Sequence, residues 1–279
     1  MAAKRQSFSV VTPNLNMGNY LKDTIESVLG NLEPGDEYFV IDGGSTDNSV
    51  EIIRSHEKQL AGWVSEQDSG YADAIAKGFR LAKNPLLCWI NSGDLLLGGA
   101  LDKARQAFGE MPADLIFGDD FYIDDESLVI FHSKGRVRSL RNMMLYGGWT
   151  PLQDACFWRR SLYEKVGGMN VNLRHAADYD LFLRCALDGD CEYTPYTFSA
   201  FRRHEGQKSI ATARSYVEER ETCRRMALRD QGRSSVGSYV LGPYYWAVVR
   251  FRAHVLNRCR RRSPLSGMPV SSLKCGRYS

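Results

Sequence analysis

The stretch Leu86-Leu87-Cys88-Trp89-Ile90-Asn91-Ser92-Gly93-Asp94-Leu95-Leu96-Leu97 decides how the chain is read: an unbroken apolar run stops at a polar turn carrying one carboxylate. A short apolar run bounded by turn residues suits a strand buried on both faces, and ligands of open α/β sheets gather beyond the carboxyl ends of such strands. Asp94 therefore stands where a ligand would sit, and Gly93 lets a bulky group approach the backbone. An aspartate there suits Mg²⁺ or Mn²⁺, hard ions that bridge one or two carboxylates to substrate phosphates. The competing reading is an Asp94 that only caps the next turn or helix.

Upstream of this stretch, Phe8–Thr12 reads as a strand stopped by Pro13, and Asn19 opens a helix with Leu21, Ile25, Val28 and Leu29 on one face. Tyr38–Ile41 is a second strand, ending at Asp42-Gly43-Gly44-Ser45-Thr46-Asp47. A helix through Val50, Ile52 and Ile53, a short strand Trp63–Glu66, and a helix carrying Ala72, Ile75, Ala76 and Phe79 follow. This alternation predicts βαβ units and a parallel sheet. The Gly-Gly turn lacks the Gly-Lys-Ser/Thr ending of a P-loop, and no Gly-x-Gly-x-x-Gly follows the first strand, so both of those nucleotide folds are excluded. Asp42 suits a hydrogen bond to a base imide or ribose hydroxyl and equally suits a turn. Asp47 reads as a helix cap, and Asp68 or Ser69 as the cap of the next helix.

The 279 residues, 43% hydrophobic and 25% charged, suffice for one large domain with an appendage. The net charge of +3 conceals an asymmetry: Gln231 to Ser279 holds nine Lys or Arg and no acid, which leaves −6 on the preceding part. The seven cysteines are odd in number and form no Cys-x-x-Cys pair, which favours reduced thiols in a cytoplasmic protein over a disulfide framework or zinc site. The opening residues are expected to carry no signal peptide, and no apolar stretch reaches the ~20 residues that span a bilayer.

Thr12-Pro13, Asp42-Gly43-Gly44-Ser45-Thr46-Asp47, Glu66-Gln67-Asp68-Ser69-Gly70-Tyr71 and Asn91-Ser92-Gly93-Asp94, taken in order, resemble family 2 glycosyltransferases of the GT-A fold. The likeness runs from Phe8 to Ile210. It implies a catalytic domain over 1–210 with a mostly parallel, Rossmann-like α/β sheet flanked by helices. It also implies transfer of a sugar, with inversion, from a nucleotide-diphosphate donor such as a UDP-sugar to a glycan or lipid-linked acceptor in polysaccharide biosynthesis, with Mn²⁺ or Mg²⁺ as cofactor. By the same likeness Thr12, Pro13, Asn14, Asp42, Gly44, Asp68, Asn91 and Ser92 hold the nucleotide, and Asp94 and His204 hold the metal. One departure stands out. The family shows two acids at the end of the metal motif, and here the first is Gly93, from which weaker metal affinity is expected.

The resemblance continues downstream. His175-Ala176-Ala177-Asp178-Tyr179-Asp180-Leu181-Phe182-Leu183-Arg184 matches the segment that supplies the base, which implies that Asp178 takes the proton from the acceptor hydroxyl. Asp180 is the alternative, although it also suits a pair with Arg184 at i+4. Asp119, in Gly118-Asp119-Asp120 after the strand Ala113–Phe117, is a candidate for donor or acceptor contact or else an exposed hairpin shoulder. Trp149 and Gln153 suit a sugar face and a hydroxyl, against a Trp that is simply core. Arg203 and Lys208, after an edge strand Cys191–Phe201, suit clamps on the departing diphosphate, against a solvated basic loop.

Beyond Ser209 the likeness ends. A helical, basic and aromatic extension is expected over 211–262, with Tyr244, Tyr245, Trp246 and Phe251 beside six arginines. It suits peripheral contact with the cytoplasmic face of a membrane or packing on the domain, and no nucleic-acid motif accompanies it. Ser263–Ser279 is expected to be a disordered tail. Gly93 also leaves open a nucleotide-sugar-binding or scaffold protein without turnover.

Overall fold

The computed structural model describes residues 6–137, 139–147, 150–204, 213–230 and 265–278. Trp149, Lys208 and the aromatic, basic segment 239–262 lie outside the described residues.

Strands β1 (Phe8–Asn14), β2 (Glu37–Asp42), β3 (Gly62–Ser65) and β4 (Leu86–Trp89) run parallel in the spatial order β3-β2-β1-β4. Their side chains alternate between two cores. Val11, Phe39, Ile41, Leu87 and Trp89 enter one, while Phe8, Val10, Tyr38, Val40, Leu86 and Cys88 enter the other. Burial on both faces is why these strands are apolar without alternation. Helices α1 (Gly18–Leu29), α2 (Ser49–His56) and α3 (Tyr71–Leu81) make the crossovers. The small residues of α3 let it lie close to the sheet: a Cβ on Gly78 would collide with Val11 of β1.

The second half of the sheet is mixed. β5 (Leu95–Leu96), β6 (Leu115–Ile123), β8 (Cys156–Arg159) and β9 (Cys191–Arg202) extend the order as β4-β8-β6-β9-β5, and β7 (Val129–Ser133) pairs with β6. β8 is antiparallel to both neighbours, β9 is parallel to β6, and β5 is antiparallel to β9. Helices α4 (Ala100–Glu110), α5 (Leu140–Gly147), α6 (Arg160–Lys165) and α7 (Ala177–Asp188) complete the layers, and the helix Ala213–Asp230 packs on α5 and α7.

Three expectations need correction. β9 is no edge strand, because β6 and β5 flank it. Gly118-Asp119-Asp120 forms no hairpin shoulder: β6 runs through it to Ile123, with two register shifts, and buries both acids. The C-terminal stretch 265–278 is ordered. Val270 and Leu273 are buried with Phe121, Ile123 and Val129, and bridges join the stretch to Gly98, Leu128 and Thr197. Two apolar residues at a spacing that a 3₁₀ turn presents to one side suffice to dock a short strap.

Candidate active site

The carboxyl ends of β1, β2 and β4 meet at one edge of the sheet, tied by side chains. The Asp42 carboxylate, fully buried, accepts from Asn14 Nδ2 at 2.7 Å, from the Ser65 hydroxyl at 2.7 Å, from the Ser45 hydroxyl, and from the backbone N–H groups of Gly44 and Ser45 at 3.2 and 3.0 Å. Burial alone would raise its pKa, but the donors from Ser45, Ser65 and Asn14 prevail and hold it below the ordinary value. With both oxygens satisfied by its own chain, Asp42 shapes the loop, and Gly44, at φ +84°, takes the left-handed turn that the loop requires. The Thr12 hydroxyl is buried and paired with the Tyr38 hydroxyl at 2.9 Å. Asp68 is half-buried against Gly43, which a Cβ would force apart, and it accepts from Gly70 N–H at 2.9 Å. Asp47 receives the N–H groups of Gly18 and Ser49, and so ties the starts of α1 and α2 together from one position before the N-cap of α2, which is Asn48 and not the expected Asp47.

The loop after β4 is held as firmly. Ser92 Oγ donates to the Pro13 carbonyl at 2.9 Å, Gly93 N–H donates to Thr24 Oγ1 at 2.9 Å, and Thr24 Oγ1 donates to the Asp94 carbonyl at 2.9 Å. Asn91 reaches Gln153 Oε1 at 2.6 Å, and Gln153 Nε2 donates to the Trp89 carbonyl at 2.7 Å, so the Gln153 amide braces the loop with both ends. Asp94 is 4% exposed and accepts at Oδ1 from the backbone N–H of Arg202 at 3.0 Å.

Arg202, not the neighbouring Arg203, is the arginine of this site. It is 1% exposed and donates to the carbonyls of Gly93, Asp124 and Asp125 at 2.9, 2.9 and 3.1 Å, with its guanidinium 4.9 Å from the Tyr20 ring centre. Arg203 instead lies over Tyr122, and the His204 ring stands 5.4 Å from that of Tyr20. Within Arg202-Arg203-His204 nothing local singles out the buried member; only the strand alternation continuing from Ala200 marks position 202 as inward.

Beneath the loop lie two acids that the motifs do not mark. Asp120 and Asp154 are buried at 0% and 3%, and Asp120 has neither oxygen in a well-formed hydrogen bond. Burial first, and the charge of Asp154 second, lift Asp94 well above the usual carboxylate range; burial and the charges of Asp154 and Asp94 do the same to Asp120. Asp119 points elsewhere: it accepts from Gly135 N–H at 2.8 Å and the Tyr193 hydroxyl at 2.9 Å, with His132 and Lys134 each 3.7 Å away. Among the described residues no group of three His, Cys, Asp or Glu is gathered as an ion cage.

Asp178 sits in the first turn of α7, half-buried as a residue, with Oδ1 closed off from solvent and unpaired. Burial pushes its carboxyl up to about 6 against the opposing pull of the Tyr179 N–H. Asp180 is occupied, as expected, by Arg184 at 2.6 and 3.0 Å. The Tyr71 hydroxyl, at the start of α3 and directly after the 66–70 loop, accepts the N–H groups of Ala177 and Asp178 at 2.9 and 3.4 Å, which links that loop to α7.

A family profile for glycosyl transferase family 2 matches residues 9–167. The chain belongs to glycosyltransferase family 2. An uncharacterized glycosyltransferase of Mycobacterium tuberculosis is 31% identical over 182 residues, covering 64% of this chain and 68% of that one. A PGL/p-HBAD biosynthesis glycosyltransferase of Mycobacterium bovis is 28% identical over 187 residues, covering 64% and 69%. Solved structures show the same GT-A fold. TarS 1–349 of S. aureus in complex with UDP-GlcNAc superposes with a TM-score of 0.64 at 15% identity, over 95% of this chain and 78% of that chain. A mannosyltransferase of Pyrobaculum calidifontis, in complex with GDP-Man and Mn²⁺, gives 0.60 at 16%, over 97% and 79%. Against another TarS chain, this glycosyltransferase spans 37% of the length. No helix among the described residues is long and apolar enough to cross a membrane.

Proposed function

We propose that this glycosyltransferase moves a sugar, with inversion, from a nucleoside diphosphate donor to a hydroxyl of a glycan or lipid-linked acceptor. The observation that carries the reading is Asp178: a carboxylate with one unpaired, enclosed oxygen and a pKa of about 6, reached from the donor-side loop through Tyr71. Inversion requires one group to take the acceptor proton as the oxygen attacks opposite the leaving diphosphate, and a base poised near the working pH does so best. The Asp178 carboxylate accepts that proton. Asn14, Gly44 and Asp68 form the nucleotide side, with Asp42 bracing their loop, and Asn91 and Ser92 hold the turn that presents Asp94.

The fit to a divalent ion rests on Asp94. Nucleotide-bound Mg²⁺ or Mn²⁺ needs one or two protein carboxylates, with the phosphates supplying the rest, so a single acid suits such an ion where a preformed cage is lacking. The cation would neutralise charge on the departing diphosphate. His204 would supply the second protein ligand. The neighbours' complexes with UDP-GlcNAc and with GDP-Man and Mn²⁺ support this class of donor and ion.

The test is release of UDP from UDP-GlcNAc, or GDP from GDP-mannose, by the purified chain with Mn²⁺. Turnover that stops in chelator and in Asp178→Asn supports the reading. A chain that binds nucleotide and releases none is the binding protein that Gly93 leaves open, and full turnover in chelator removes the ion.

A further inference from the structure

Ala176 stands at the N-cap of α7 and has no side chain able to cap it. A helix start leaves backbone N–H groups without partners inside the helix, and these must be satisfied from elsewhere. Five consecutive groups, Arg174 to Asp178, are satisfied by two side chains from remote parts of the chain. Glu219 takes three: Arg174 N–H at 3.2 Å, His175 N–H at 2.8 Å and Ala176 N–H at 3.0 Å. Tyr71 takes the other two and returns its own proton to the His175 carbonyl at 3.2 Å.

Glu219 is held in place by its helix. Tyr216, Cys223, Ala227 and Leu228 fall at helical spacing and pack into the core that contains α7, which turns the same face of Ala213–Asp230 toward the start of α7. The three backbone donors outweigh burial and keep the Glu219 carboxyl below its ordinary pKa, so it is an anion set at the positive end of a helix. Glu219 also lies beyond residue 167, outside the region that the family profile matches.

We infer that Glu219 is a positioning residue for the reaction: acting through the 174–176 backbone, it fixes the first turn of α7 and thereby the direction of the Asp178 carboxylate. The inference rests on the reading of Asp178 as base. Glu219 touches no reacting atom; it sets where the base points. Misplacing a catalytic group by about 1 Å costs on the order of 10²-fold in rate without loss of substrate binding.

The experiment uses the full chain and three variants, Glu219→Gln, Tyr71→Phe and Asp178→Asn, with hydrogen exchange followed by mass spectrometry and with UDP-GlcNAc and GDP-mannose as donor probes. Glu219→Gln keeps the shape and loses the charge, so it is preferred to Glu219→Ala, which is open to misfolding. The expected result is exchange at 174–178 faster by roughly 10-fold in Glu219→Gln and Tyr71→Phe, with β1 to β4 unchanged. Alongside it, kcat falls by about 10- to 100-fold at unchanged donor KM. A role in stability alone would lower melting temperature without this split. Unchanged exchange at 174–178, or faster exchange with full kcat, overturns the inference. Full kcat in Asp178→Asn, or no turnover of either donor by the parent chain, counts against the functional reading instead, while the exchange result still decides whether Glu219 holds the turn.

Discussion

The backbone N–H of Arg202 donates to Oδ1 of Asp94 at 3.0 Å, and the guanidinium of the same arginine donates to the carbonyl of Gly93, so the end of β9 grips the loop after β4 from two directions. Arg202 also satisfies the carbonyls of Asp124 and Asp125.

Arg202→Lys keeps the charge and loses the planar fork. The Gly93 carbonyl is buried and those of Asp124 and Asp125 are part-buried; a buried carbonyl left unpaired costs about 1–3 kcal/mol, so a loss of about that size is expected. Urea unfolding measures it. A loss below about 1 kcal/mol would show that water replaces the guanidinium, and the grip would be unimportant.

Gly93 stands at φ +107°, and a Cβ there would approach Met17 Cε to 3.3 Å. Side chains are strained in that backbone region by about 1–3 kcal/mol. Gly93→Asp, which sets a second acid beside Asp94, is therefore expected to lower stability by that amount and not to raise donor turnover. An increase in both would mean that the loop relaxes to accept the acid.

Asp178 titrates near 6 in the folded chain, raised from 3.8 by burial. Between those values the folded state holds the proton that the unfolded state releases, so stability falls as pH rises through this window and is flat above it. Turnover runs the other way, rising with pH through about 6 as the base is freed. Asp178→Asn is expected to match or exceed the parent's stability at pH 7.5 and to lose about 10²–10⁴-fold in kcat. A pH–rate profile of donor hydrolysis beside melting curves checks both signs.

Asp120 is fully buried, and the Ser133 hydroxyl eases its charge less than burial and the neighbouring acids oppose it. Its pKa is raised, so its ionisation weakens the fold increasingly from about pH 4 upward. Asp120→Asn is expected to stabilise the protein at pH 8 by about 1–3 kcal/mol, with the difference vanishing near pH 3.5. Destabilisation at pH 8 would assign the carboxylate a partner of opposite charge.

The sheet was legible where burial on two faces writes an uninterrupted apolar run, as at Val10–Val11, Tyr38–Ile41 and Leu86–Trp89. The crossover helices were legible from spacings such as Leu21, Ile25 and Val28. Polar residues inside the second half hid it. Gly118-Asp119-Asp120 has the composition of a turn, and only tertiary burial makes it strand. The same limit applies to the site. Asp94 and Asp178 are marked by motif, whereas Arg202 and Glu219 act on backbone groups more than 40 residues away, and no local pattern records such a contact. Val270 and Leu273 leave no signal, because two apolar residues in a Gly/Ser-rich tail carry no period.

The strand order has a geometric consequence. Trp89 ends β4 and Leu95 begins β5, six Cα steps apart, yet β8, β6 and β9 lie between those strands. A flat sheet would need about 19 Å to cross them. Six steps reach roughly 20 Å only when drawn straight, and here the chain turns back, with Asp94 N–H bonded to the Asn91 carbonyl. The far edge must therefore curl toward β4, and the register shifts of β6 against β9 at Phe117–Asp120 are where a sheet gains such bending. Asp94 thus rides on the short bridge that joins the two halves of a curled sheet, and its position is set by how tightly that sheet is rolled.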